Sequence, residues 1–287
     1  MAVGKYPSQL ESLSQCIVFG EYLFNKIVKN ENLTLQETVI LGLYKDLLKK
    51  VDSCFILADH ESITGLKSIT RTAFETHIGL VYMLQEEEKI EERVLSYWVV
   101  HNKSEIKYAN MGLKDRSHSK ELKNNFKQSL KKAESFLSEE IIQEVVREWD
   151  VTKDKINKNK RHKNYDPKWY SLFGGPVTLT ALIYQIGEDL QKRVPSHIHL
   201  AMVKNKYKYL YELLSIEAHS YSALTGINPV DKLSLSTTLR GGNADLFTNL
   251  AKMFFLDATN MLLKTIFPLY QKAFKNFCVE NGLNPFK

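Results

Sequence analysis

The sequence predicts an all-α protein, a helical bundle, and two observations carry that expectation. Apolar residues recur at three- and four-residue spacing along nearly all of the 287 residues, and no two-residue alternation runs between turn signals. Several helix starts are also chemically marked: Ser138 stands before Glu139 and Glu140, Ser196 follows Pro195, and Asn243 follows Arg240-Gly-Gly242. The expected organisation is a single all-helical domain over 1–287. Within it, 114–163 is expected as a charged helical hairpin and basic linker inserted in the bundle.

Taken in order, the pattern places helices near 7–29, 34–58, 62–86, 88–112, 118–136, 139–150, 176–191, 197–225, 243–267 and 269–281. Pro268 should kink or end the penultimate helix, because it lacks the amide donor that the turn needs. From Lys114 to Asp150 the apolar positions thin out to Leu122, Phe126, Leu130, Phe136, Ile141 and Val145 on otherwise charged helices. This spacing suits a hairpin projecting from a main bundle. The aromatic return YDPKWYSLFGGPVTLTALIYQIG would bring the chain back, with Phe173-Gly-Gly-Pro176 as a turn.

Composition narrows the class. Hydrophobic residues at 44% and charged residues at 25% are ordinary for a soluble globular chain. The opening MAVGKYPSQLESLSQ lacks a secretory apolar run, and LAKMFFLDATNMLLKTIF is interrupted by Lys252, Asp257 and Lys264, so no membrane partner is expected. Cys16, Cys54 and Cys278 are odd in number and far apart, which suits three reduced thiols in a cytoplasmic protein. The net charge of +6 is concentrated in Val151–Lys163, where five lysines and Arg161 face one aspartate. A tract of this kind holds phosphates by displacing their counterions, which makes Lys153, Lys158, Lys160, Arg161 and Lys163 candidate nucleic-acid contacts. As a solvated surface linker it would touch nothing.

Two apolar helices carry polar residues that need an explanation. In SITRTAFETHIGLVYML, the residues Phe74, Val81 and Leu84, with Ile63 and Leu66 just upstream, form one stripe that includes His77, with Arg71 and Glu75 one turn apart on its flank. His77 points about 120 degrees away from Arg71, so the three form no local triad. In YKYLYELLSIEAHSYSAL, the residues Tyr211, Ser215 and His219 step along one edge at four-residue intervals, while Glu217 sits within the apolar stripe and requires a partner. If the two flanks face each other, Arg71, Glu75, Tyr211, Ser215 and His219 line one cleft. Otherwise the same groups are an intrahelical ion pair and hydrogen-bonded fittings of a core. Glu75-Thr-His77 and Glu217-Ala-His219 are spaced by two residues, whereas helical metal sites use Glu-x-x-His, so neither a metal nor another cofactor is expected. The chain also lacks the nucleophile elbow, the Walker loop and the dinucleotide fingerprint.

Arg71-Thr-Ala-Phe-Glu75, Trp169-Tyr170 and Tyr211-Glu-Leu-Leu-Ser215-Ile-Glu-Ala-His219 together resemble the bacterial domain-of-unknown-function family 5677 over about residues 35–225. The chain is also similar in style to HEPN proteins, helical-bundle ribonucleases of toxin–antitoxin and phage-defence systems, commonly dimeric and metal-independent. Their Arg and His are separated by four to six residues, and Arg71 and His77 fit with five, although flank geometry favours His219 as the base. The resemblance implies a metal-independent endoribonuclease or nucleic-acid-targeting effector in antiviral defence. RNA, a protein partner such as an antitoxin, and a second copy in a homodimer would be its partners. The competing expectation is a non-catalytic helical interaction module.

Overall fold

The computed structural model describes residues 9–158, 165–193, 207–215, 227–228, 234–235 and 242–283. The described fold is all-α: α1 (Gln9–Asn30), α2 (Leu35–Asp59), α3 (Ile63–Leu84), α4 (Ile90–Lys114), α5 (Lys120–Leu137), α6 (Gln143–Asn157), α7 (Leu179–Arg193), α8 (207–215), α9 (Asp245–Thr265) and α10 (Gln271–Glu280). A two-residue antiparallel pair, Ile227–Asn228 with Ser234–Leu235, is the extended element among the described residues. The chain divides into two compact units, one of 1–87 with 186–287 and the other of 88–185.

The first unit is built on α1, α2, α3 and α9, which pack on one another around Leu23, Ile27, Tyr44, Leu47, Phe74, Ile78, Phe254 and Phe255, all fully buried. Its helix ends follow from local chemistry. Thr34 opens α2 with a complete capping box to Glu37, satisfying two amides that the first turn leaves orphaned. Asn243 Oδ1 accepts from the Asp245 amide at 2.6 Å at the start of α9. Pro268 begins a 3₁₀ turn between α9 and α10, as its missing amide requires. After α10, Gly282 takes φ 62° and Leu283 N–H returns to the Cys278 carbonyl at 2.7 Å, a Schellman closure for which glycine is best suited. Inside the bundle the Tyr44 hydroxyl meets Thr259 Oγ1 at 2.9 Å, so the one polar end of a buried ring is satisfied. Burial pushes the Cys16 thiol up to about 12 and those of Cys54 and Cys278 up to about 11, which makes all three inert as nucleophiles.

In the second unit α4 carries α5, α6 and the 3₁₀ segment Trp169–Gly174. Val99, Phe136, Ile142, Val145, Trp149 and Leu172 form its core, and Trp98 stacks on Phe136 at 4.0 Å. The segment expected as hairpin and linker lies inside this unit, together with α4 and the aromatic return. The helix expected to stop near Asp150 runs on to Asn157. The reason is apolar continuity: Val145, Trp149, Thr152 and Ile156 keep one face toward the core, so half of the basic tract is helical. The turn at Phe173-Gly-Gly-Pro176 includes Phe173 at φ 53°, and Glu148 holds it there by accepting from the Phe173 amide at 3.2 Å.

Close approach of α1 to α2 and α9 depends on Gly20. A Cβ built there would lie 2.7 Å from the Phe255 ring and 2.8 Å from Leu48. Alanine normally favours a helix interior over glycine by about 1 kcal/mol. Overpacking in a core costs about 1–3 kcal/mol. Gly20→Ala is therefore expected to be net destabilising, by up to about 2 kcal/mol in urea denaturation; a stabilised variant would show that the two helices yield at no cost.

Candidate functional site

Helix α3 is buried on most of its circumference, so each of its polar residues must find a partner on a different neighbour. His77 faces α9. Its Nε2 lies 2.8 Å from Asp257 Oδ2, and its ring stacks on Phe254 at 5.1 Å between centroids. The imidazole is 1% exposed and the Asp257 side chain 37%, so the aspartate links a core histidine to the surface. Paired with a carboxylate, Nε2 carries the donated proton. That leaves Nδ1 as a buried atom with no hydrogen-bond partner among the described residues. Burial first and the Asp257 charge second push the Tyr207 phenol up, so this hydroxyl stays protonated beside the pair.

Arg71 and Glu75 face α8 instead. Arg71 Nε donates to Glu75 Oε1 at 3.1 Å, with side chains 19% and 37% exposed. The guanidinium carbon lies 5.5 Å from the centroid of the Tyr211 ring, a cation–π contact between segments far apart in the chain. Tyr207 on the same short helix stacks on Phe74 of α3, and Leu210 and Leu214 are buried beneath it, which fixes α8 against α3. Ser215 Oγ donates to the Tyr211 carbonyl at 2.6 Å, so its proton is committed within α8. The two flanks thus bring together Arg71, Glu75 and Tyr211, with Ser215 one turn further along. His219 and Glu217 lie outside the described residues. Only Nε of the arginine is committed to Glu75, and both Nη groups are left without a hydrogen-bonded acceptor among the described residues.

Of the candidate contacts in the basic tract, Lys153 and Lys158 are described, whereas Lys160, Arg161 and Lys163 lie outside the described residues. Asn157 closes the stem of this stretch: its Oδ1 accepts from the Tyr165 amide at 3.0 Å and its Nδ2 donates to the Tyr165 carbonyl at 2.9 Å. Lys158 is exposed just past that stem. Lys153 is tied to Asp166 at 2.8 Å and sits 4.7 Å from the Trp149 centroid. It lines a cleft of about 360 Å3 with Val100, Lys103, Ser104, Lys107, Trp149 and Asp166.

Sequence reasoning missed Asp257, Lys103, Lys107, Trp149 and Asp166. A signal existed for the first: a lone carboxylate in the apolar stretch of α9 requires a partner by the argument applied to Glu217. Lys103 and Lys107 were visible as an i, i+4 pair on α4, but nothing local to them pointed to Asp166, 59 residues beyond Lys107. Among the described residues, no group of three or more His, Cys, Asp or Glu is placed to hold a metal ion. No described helix is long and apolar enough to cross a membrane.

The two faces of α3 should respond differently to truncation. Asp257→Ala leaves a buried imidazole N–H without its acceptor and is expected to cost about 1–3 kcal/mol. Arg71→Ala and Glu75→Ala each break a partly exposed i, i+4 pair, and about 0–1 kcal/mol is expected. Urea midpoints for the three variants check the ranking; equal losses would show that the Arg71 pair is as deeply buried as the His77 pair.

No curated protein and no solved structure matches the chain. A family model does match, over residues 37–228, an interval that begins in α2 and takes in α3, the whole second unit, α8 and the first strand pair member. That interval holds Arg71, Glu75, His77, Tyr211, Ser215 and His219, and it leaves out α1, α9 and α10. The chain therefore belongs to the family of unknown function DUF5677.

Proposed function

We propose that the protein is a nucleic-acid-targeting effector of bacterial defence that cleaves RNA in the cytoplasm by HEPN-like, metal-independent chemistry. One observation carries the reading: Arg71 is held by Glu75 through Nε and by the Tyr211 ring, so its Nη edge is pre-oriented for an oxyanion. A guanidinium fixed in this way loses little freedom when a phosphate arrives, which is what electrostatic stabilisation of a crowded phosphorus requires. His219, eight residues beyond Tyr211 in sequence, is the base that accepts the proton of a ribose 2′-hydroxyl. The 2′-oxygen then attacks the adjacent phosphorus and the bond to the 5′-oxygen breaks, that oxygen taking a proton from solvent. Tyr211 and Ser215 position the phosphate, Glu75 orients Arg71, and the basic tract from Lys153 to Lys163 holds the strand. His77, committed to Asp257 and enclosed by α9, has a structural role in this scheme.

A second reading has its own observation. Val18, Phe19 and Tyr22 of α1 form an apolar groove with Phe277 of α10, and Val18 and Tyr22 are exposed at 65% and 53%. Such a face suits a protein partner, an antitoxin or a second copy, and on this reading the polar groups of α3 and α8 only join helices.

Cleavage of an end-labelled RNA separates the two. Wild type is expected to cleave with or without chelator, His219→Ala to lose cleavage while retaining helicity, and Arg71→Ala to lose about 10²–10³-fold in rate, the usual effect of removing a donor to a developing oxyanion. Wild-type rates from folded His219→Ala and Arg71→Ala would overturn the catalytic assignment. Failure of the wild type to bind or cleave any RNA would favour the interaction module.

A further inference from the structure

The cleft in the second unit has an unusual internal arrangement. Lys107 donates to Asp166 Oδ2 at 2.7 Å and Lys153 to Oδ1 at 2.8 Å, so one carboxylate takes an ammonium on each oxygen. Lys103 lines the same cleft, 4.4 Å from the Trp149 centroid, and its other charged neighbour is Asp150 at 3.8 Å, largely exposed. Three lysines thus converge where one carboxylate is held deeply enough to matter. Burial alone would push the Asp166 carboxyl up, yet the two lysine hydrogen bonds hold it below the usual range. Trp149 forms a wall of the cleft, and its buried Nε1–H has no acceptor among the described residues. On the opposite face of α6 a separate groove bears Lys155 and Lys158 together with Asp154.

We propose that this cleft is a phosphodiester site for single-stranded RNA in which Asp166 is the resident anion, standing where a backbone phosphate binds. The inference rests on the RNA reading above and deepens it by assigning Lys103, Lys107 and Lys153 to one phosphate. The carboxylate keeps two lysines converged when no strand is present, and a phosphodiester, also a monoanion with two non-bridging oxygens but with a wider tetrahedral spread, takes over both and also reaches Lys103. The RNA reading makes the occupant one phosphodiester of a strand, and free phosphate is the alternative that the competition measurement separates from it. Asp166 also tempers binding, since every strand that enters must displace it.

The test has an unusual sign. Removing an acidic residue that merely pins the two lysines in place should weaken binding or leave it alone. Removing a resident anion should strengthen it. Binding of a fluorescein-labelled single-stranded RNA is measured by anisotropy across a salt series for wild type, Asp166→Asn and Asp166→Glu, each checked by circular dichroism and urea midpoint, with inorganic phosphate as a competitor. Asp166→Asn is expected to bind about five- to tenfold tighter at low salt, with a salt slope steeper by about 0.7 for one added single-strand phosphate contact. Asp166→Glu, which keeps the charge, should stay near wild type, adding Lys107→Ala and Lys153→Ala should cancel the gain, and phosphate should compete only weakly. If wild type binds RNA while folded Asp166→Asn binds equally or more weakly, the site assignment fails and the RNA reading stands. If neither binds RNA at low salt, both fail together. Phosphate competing as well as the oligonucleotide would overturn the strand in favour of a small-anion site.

Discussion

A buried helix that carries an arginine, a glutamate and a histidine needs a partner for each, and the first unit is arranged around that need. Helix α3 packs against both α2 and α9, so its apolar residues are enclosed while its polar ones must be met by side chains from other parts of the chain. Asp257 reaches His77 from 180 residues away, and Tyr211 reaches Arg71 from α8. Each contact ties a distant segment to the same helix. In this way one requirement, that a buried polar group be satisfied, specifies which face of α8 and which register of α9 the bundle accepts.

The division of α3 into two polar faces gives the chemistry its shape. His77 has exchanged solvent for a carboxylate and an aromatic ring, and an imidazole enclosed in this manner contributes to the integrity of the core. Arg71 has kept one edge open. The difference lies in geometry more than in residue type: Glu75 is one turn away on the same helix and engages Nε, which leaves the Nη pair without an acceptor among the described residues, whereas Asp257 comes from another helix and engages Nε2 of His77. The second unit uses the same device in reverse. There Asp166 engages two lysines at once and keeps a positive cleft assembled that would otherwise repel itself.

Much of this was legible in the sequence, and the limits are physical. Helical periodicity located the helices because burial of one face is a local property of each segment, and Asn243 and Pro268 marked ends through chemistry confined to a single turn. The pairing of Arg71 with Glu75 was legible for the same reason, being an i, i+4 contact. The helical extension through Val151–Asn157 was obscured by its lysines, which outweigh Thr152 and Ile156 in composition although those two set the buried face. His77 was placed in the core correctly by its stripe, but its partner was not identifiable, since nothing in the spacing of α3 points to Asp257. The lysine cleft was invisible for a further reason: its cations come from α4 and α6 and its anion from an irregular stretch, so no single segment carries a pattern.

The central claim is that the Arg71 fork is held ready for phosphate and does not simply join two helices. Arg71→Lys tests it most directly, because lysine keeps the positive charge and the helix propensity while losing the planar fork. The measurement is the affinity of a labelled single-stranded RNA for wild type and this variant, with the urea midpoint of each determined in parallel. The account predicts a several-fold loss of RNA affinity with an unchanged midpoint. A lowered midpoint with undiminished RNA affinity would contradict it and leave Arg71 as a fastening between α3 and α8.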